Sequence, residues 1–470
     1  MEGMKPRFHK GILKSLRRTL KEHEIKFLLS SLESFERILP HTEVSRWTKK
    51  IGRDSAHKVS KAWWQSLARQ QRRAIGLQLH LPGKDWLLVS SLRRKKAGVG
   101  VGDISRVLDD TEMRLCKRIL SLASNRLNEL QSITSISLAL QLTRSFDDNI
   151  VLEHLKDSHQ LEFSLEDLVD FLRQLSEQSY ENKSLSFGVL IDKDEEGTLK
   201  NNKRKVFPRD YLAEKKFRAF TDGYRSAYLL DRFGAVKGLV DLEENASQGV
   251  KGKHYYPQWS ENMALSSLKN VIGFSLTRQG DILYFDKGSL RFTRRFGKWQ
   301  YWNHSYMMDI LENKARAQHV KQEVLGKVVT KLYKYAMDIS FRHSGGLFVL
   351  LRNANTIHQV VRERDALNDT KRSLLNTEFE RFLQDKTILG LDRNVILELA
   401  SIDGALVFSN HGKLLAYGAV LEPKKRKHVQ KEEGSRSKAA VGASHFGLSL
   451  KISSDGAISL YQDGTKFIEV

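Results

Sequence analysis

Between Gln322 and Val470, apolar runs and helical stripes alternate with turn residues in the pattern of a layered α/β domain. Leu325, Val328, Val329, Leu332 and Ala336 recur at helical spacing, and Gly346-Leu-Phe-Val-Leu-Leu351 follows as a wholly apolar, buried strand. Leu375, Phe379 and Phe382 mark another helix. Asp392 is placed to cap the next, which carries Val395, Ile396 and Leu399 and runs into Ile402-Asp-Gly-Ala-Leu-Val-Phe408. The chain continues through Asn410-His-Gly-Lys413 into Leu414–Leu421, then a basic loop, then Gly434–Ala440. A final strand pair, Gly447–Ser453 and Ala457–Tyr461, turns at Ser454-Asp-Gly456.

A strand entered through Asp403-Gly404-Ala405 has a carboxylate at its start, where it can bind a divalent cation or accept from a sugar hydroxyl. Gly404 and Ala405 leave room for a ligand against the backbone. Read alone, Asp403-Gly404 is first of all a turn.

The order of these pieces resembles the diadenylate cyclase family across the whole segment. The matching residues are Gly346-Leu347, Asp403-Gly-Ala405, Ala416–Leu421, Gly434–Ala440 and Ser453–Ser459. The resemblance implies a mixed central sheet flanked by helices that binds ATP. It implies two such domains face to face in a homodimer or higher oligomer, joining two ATP into the second messenger cyclic di-AMP with loss of pyrophosphate. Asp403 then becomes the catalytic residue and a ligand to Mg²⁺ or Mn²⁺, with Asp455 as a second metal carboxylate. Gly404, Ala405, Val420 and Leu421 line the nucleotide, and Gly434, Ser435, Arg436, Ser437 and Lys438 hold the triphosphate. The family's Gly-Thr-Arg-His-Arg here reads Gly434-Ser-Arg-Ser-Lys438, which keeps both positive charges but loses an imidazole and one planar guanidinium. A nucleotide sensor without turnover is the alternative those exchanges raise.

The preceding residues form a mainly helical and α+β region. Residues 1–158 read as mainly helical, with Phe27, Leu28, Leu32, Phe35 and Ile38 near a helical period and Asp85–Ser90 as a short strand. Residues 159–311 read as an α+β sensor region. Ser164-Leu-Glu-Asp167 fits a capping box for a helix through Leu175, and 192–205 is a charged loop. Phe274–Thr277, Asp281–Phe285 and Ser289–Thr293 are strands parted by Gly280 and Asp286-Lys-Gly288. Trp299 and Trp302 read as core in preference to base-stacking platforms. Residues 312–321 read as a helical connection to the last domain at 322–470, and no internal repeat is evident.

The formal net charge of +22 calls for an anionic partner, whether nucleotide phosphate or nucleic acid bound through a basic N-terminal surface. Dense stretches are Lys5–Lys21, Arg93–Lys96, Lys203–Lys205 and Lys424–Lys431. Gly98-Val-Gly-Val-Gly102 lacks the Lys-Ser/Thr of a P-loop and reads as a turn. The lone Cys116 excludes an internal disulfide and a thiolate metal cluster, and reads as a buried small residue. No apolar run is long enough to cross a bilayer and the N-terminus lacks a secretory apolar segment, so the expectation is a cytoplasmic protein with no membrane partner.

Overall fold

The structure, a computed structural model, describes residues 34, 38, 42–51, 74–81, 84–94, 109–115, 118–119, 121–123, 146–180, 183–193, 207, 221–246, 252–268, 270–316, 320–367, 377–422 and 434–470. Of these, the backbone alone is described at 42–51, 74–81, 84–94, 180, 183 and 377–379. Cys116, the glycine run at 98–102, the basic stretches 5–21, 203–205 and 424–431, and most of the charged loop at 192–205 lie outside the described residues.

The chain divides into two compact units. The first comprises residues 1–96, 104–252 and 262–302, and the second 97–103, 253–261 and 303–470.

In the first unit, β1 (Thr42–Ile51), β2 (Ala74–Leu81) and β3 (Lys84–Arg94) form a three-stranded antiparallel sheet with β3 in the middle. The sequence reading anticipated only the centre of β3, because Thr-Glu-Val-Ser-Arg-Trp-Thr-Lys-Lys-Ile in β1 carries charges that mask its strand period. Helices α1 (Phe146–His159) and α2 (Leu165–Ser176) follow. The Ser164 hydroxyl accepts from the Asp167 N–H at 3.0 Å, the cap expected from Ser-Leu-Glu-Asp. Helix α2 buries Leu168, Phe171, Leu172 and Leu175, and Phe171 meets Phe187 edge-on at 5.3 Å.

A seven-stranded sheet then builds from β4 (Phe187–Asp192), β5 (Ser226–Asp231), β6 (Val236–Asp241), β7 (Val271–Leu276), β8 (Ile282–Asp286), β9 (Ser289–Arg295) and β10 (Lys298–Tyr301), with the short helix α3 (Glu261–Ser266) before β7. Its order is β10-β9-β8-β7-β4-β5-β6, with only β4 and β5 parallel. Trp299 and Trp302 are core, as expected, and each indole satisfies its N–H internally: Trp299 donates to Asp148 at 2.7 Å and Trp302 to Thr293 at 3.0 Å.

On α1, His154 is buried beside a cavity lined by Arg114, Arg118, Glu153 and Asp157. Burial first, then the charges of Arg118 and Arg114, push its pKa down to about 4. Burial also pushes His159 to about 4, with its Nε2 2.6 Å from the Tyr284 hydroxyl. Below the ordinary value of 6.5 the unfolded chain therefore takes up protons that the folded chain refuses. Stability should be full above that pH and fall progressively toward pH 4, by on the order of 3 kcal/mol for His154 alone. His154→Gln should flatten the denaturant midpoint plotted against pH across that window. A slope as steep as wild type's would assign the acid sensitivity elsewhere.

The second unit contains α4 (His304–Ala315), α5 (Gln322–Phe341), β11 (Gly346–Leu351), α6 (Thr377–Leu383), α7 (Arg393–Ser401), β12 (Ala405–Ser409), β13 (Leu414–Ala419), α8 (Ser435–Ala443), β14 (Gly447–Ile452), β15 (Ile458–Gln462) and β16 (Thr465–Glu469). Its six strands run β13-β12-β11-β14-β15-β16, again with a single parallel pair, β11 and β12. The α/β architecture with a mixed sheet expected from sequence is present, with β16 as a further strand. Leu347, Val349 and Leu351 project into one core with Ala440, Val441 and Ala443 of α8, and α5 packs against β11, β14 and β15. Helix α4, where the sequence reading placed a boundary and a connection, belongs to this unit: it packs on α5, and His304 Nδ1 lies 2.9 Å from the Tyr333 hydroxyl.

The two large sheets share one strand plan, which the sequence reading did not detect. Strands β4 to β9 occupy the same places, with the same directions, as β11 to β16. The turns match as well. Asp231 N–H donates to Ala235 O and Gly234 N–H to Asp231 O, as Ser409 N–H does to Lys413 O and Gly412 N–H to Ser409 O. Gly234 and Gly412 both have φ +82°. Thr277–Asp281 repeats Ser453–Ala457, and Lys287-Gly288 repeats Asp463-Gly464 with positive φ at each residue. Strand cores built from interchangeable apolar residues hide such a repeat, while the turn geometry keeps it.

Candidate functional site

The site in the second unit forms where β12 begins. Gly404 has φ +126°, and a Cβ there would lie 2.3 Å from the carbonyl carbon of Gly418. Only glycine lets the entrance of β12 pack against the backbone at the end of β13. That approach leaves the Asp403 side chain fully solvent-exposed, with its Oδ1 3.8 Å from Arg436 Nη2. Ala405 begins the buried strand behind it.

Arg436 comes from the first turn of α8. Gly434 caps this helix with φ +86° and no side-chain hydrogen bond, and Ser435 and Lys438 are exposed beside it. A helix N-terminus so arranged presents its first N–H groups and the positive end of its dipole outward. The guanidinium lies across Gly345, where a Cβ would come within 2.0 Å of Nη1. Ser437 is buried and accepts a hydrogen bond from Lys451 Nζ at 3.0 Å.

On the other flank, the Val420 N–H donates to Asp365 Oδ2 at 3.0 Å and the residue is 45% exposed. Leu421 bridges to Val361, and Arg362 Nε donates to Glu422 Oε1 at 2.6 Å. This flank offers an exposed apolar side chain at the end of β13, next to the Gly404–Gly418 contact.

Asp455 stands in the turn between β14 and β15. The Ser453 hydroxyl and the Ala457 N–H both donate to it, and the Ser453 hydroxyl above all holds its carboxyl below the usual range. Among the described residues, no group of three or more His, Cys, Asp or Glu could hold a metal ion. Asp403 offers one exposed carboxylate here, and Mg²⁺ or Mn²⁺ keeps several waters and takes one or two carboxylates.

The structure therefore brings Asp403 and Arg436 together, with Gly404 and Ala405 behind the carboxylate and Gly434, Ser435 and Lys438 around the helix end. Three participants escaped the sequence reading: Gly345, Asp365 and Lys451. Only Lys451 carried a signal, as a cation inside the apolar run Gly-Leu-Ser-Leu-Lys-Ile of β14. Gly345→Ala should displace the Arg436 side chain with little cost in stability, because the obstructed atom is the end of a flexible chain. The Asp403–Arg436 approach should open as the guanidinium moves. A structure of the variant beside a melting curve checks this, and an unmoved Arg436 would show that the backbone at Gly345 gives way instead.

Among the described residues, no helix is long and apolar enough to cross a membrane. No protein-family model matches the chain, and no curated protein matches it. Among solved structures, the chain is similar to a double cysteine variant of DacA from Staphylococcus aureus, at 18% identity and TM-score 0.20, over 30% of this chain and 87% of that one. It is also similar to a protein from Bacillus cereus described as a hypothetical membrane-spanning protein, at 17% identity and TM-score 0.23, over 36% of this chain and 78% of that one.

Proposed function

We propose that the second unit is a diadenylate cyclase module that binds ATP at the Asp403–Arg436 site. The observation that carries this reading is the pairing of an exposed carboxylate with a guanidinium at 3.8 Å, beside a helix N-terminus left without a side-chain cap. Phosphate oxygens are the natural occupants of such a helix end, and Arg436 can grip them through parallel N–H donors. Lys438 adds a charge from the next turn. The exposed Val420 side chain offers apolar surface to the adenine base.

In this reading Asp403 orients the ribose 3′-hydroxyl and accepts its proton. Each 3′-oxygen forms a bond to the α-phosphorus of the other ATP, and the bond from that phosphorus to the β-phosphate bridging oxygen breaks. Two bonds form, two break and two pyrophosphates leave, giving cyclic di-AMP. Phosphoryl transfer of this kind depends on alignment and charge neutralisation more than on covalent help. Bound Mg²⁺ or Mn²⁺ would supply part of that neutralisation, held by Asp403 and the phosphates.

The test is incubation of the pure protein with ATP and Mn²⁺ or Mg²⁺, with identification of the product. Cyclic di-AMP and pyrophosphate in a 1:2 ratio are expected from the reaction balance. Tight ATP binding with no product under either metal would leave a nucleotide sensor instead, and no binding would remove both.

A further inference from the structure

The shared strand plan allows the two sheets to be compared position by position. Val189 pairs with Tyr228 as Phe348 pairs with Leu406, so Arg225 holds the place of Asp403 and Ser226 that of Gly404. Gly188 pairs with Ser275 as Leu347 pairs with Lys451, so Ser275 holds the place of Lys451. Counting back along the sequence from Val271 and Gly447, which pair with Asp192 and Leu351, the residues at the same distance as Gly434, Arg436 and Lys438 are Gln258, Ser260 and Asn262. The charges of Asp403, Arg436, Lys438 and Lys451 are thus absent or reversed at the corresponding positions.

The corresponding space is also filled by the chain itself. Gly188 N–H donates to the Thr221 hydroxyl at 3.2 Å, and the buried Ser275 hydroxyl donates to Gly223 O at 3.3 Å. A Cβ at Gly223 would lie 2.4 Å from Phe187 O and 2.6 Å from Ser275 Oγ, so the loop Thr221–Gly223 is seated directly on this spot. Asp222 does not supply a free carboxylate, because it accepts the N–H groups of Tyr224, Arg225 and Ser226 at 2.9, 2.7 and 3.2 Å.

We propose that the seven-stranded sheet is a second copy of the nucleotide-binding fold whose ligand site is closed by its own chain. One chain then carries a single nucleotide. The proposal rests on the reading of Asp403 and Arg436 as a nucleotide site.

Photolabelling of the full-length protein with 8-azido-ATP and Mn²⁺, quantified at saturation and mapped by peptide, tests it. The expected result is one saturable label per chain, confined to peptides from 403–452 and reduced at least tenfold in Arg436→Ala. A second saturable equivalent, or label on peptides from 221–276, would overturn the closed copy while leaving the Asp403 site intact. Label that survives Arg436→Ala undiminished would overturn it too, and the wild-type peptide map reads the outcome should that variant fold poorly. No saturable label anywhere would overturn it by a different route, by removing the nucleotide site on which it rests.

Discussion

In the proposed reaction, Asp403→Asn should lower the rate of cyclic di-AMP formation by at least about 100-fold while ATP binding is retained, because a general base contributes roughly 10²–10⁴ to such a step. The substitution keeps the shape of the side chain and removes its charge and its ability to take a proton. Asp403 is fully exposed and only loosely paired, with Arg436 at 3.8 Å, so the change leaves the fold alone. Arg436→Ala should give the opposite split, with the loss read mainly in ATP affinity, since the guanidinium grips ground-state phosphate. Product measured by chromatography and binding measured separately distinguish the two. An undiminished rate in Asp403→Asn would take this carboxylate out of the chemistry.

The largest effect on stability is expected from Asp338→Ala in α5. Asp338 is 2% exposed and accepts from Arg393 Nε at 2.6 Å and Nη2 at 2.7 Å, as well as from the Gln258 N–H. Removing the carboxylate strands a half-buried guanidinium and a backbone donor, which should cost about 3–5 kcal/mol. Burial raises the Asp338 pKa even though the guanidinium opposes the shift, so ionising the carboxyl is costly where it sits. By linkage, its contribution is fullest below the unfolded value and declines as pH rises through the folded one. Asp338→Leu combined with Arg393→Met should therefore recover part of the loss. A denaturant titration of the two variants measures it, and equal destabilisation by the single and double changes would show that the Gln258 N–H, and not the stranded charge, sets the cost.

Much of the second unit was legible without coordinates. Helix α5, the buried strand β11, the Asp392 cap and the turns at Gly412 and Gly456 all follow from local chemistry, namely helical period, apolar run, short polar cap and glycine at positive φ. In the first unit the Ser164 cap and the hairpins from Val271 to Arg295 were legible for the same reason. Strands β1 and β2 were not, because strand propensity depends on the neighbours a strand acquires.

The site shows the same division. The sequence by itself determined that Asp403-Gly404 enters a strand and that Arg436 lies in a basic, serine-rich segment. Of its four Asp-Gly pairs, Asp222-Gly223 carried no sign of a different fate. Only the tertiary structure decided between them. Strand register places Asp403 at the open mouth of its sheet and Arg225, not Asp222, at the matching point of the other, where Asp222 holds its own loop. Register depends on pairing with residues distant in the chain, so an exposed carboxylate and a structural one share the same local sequence.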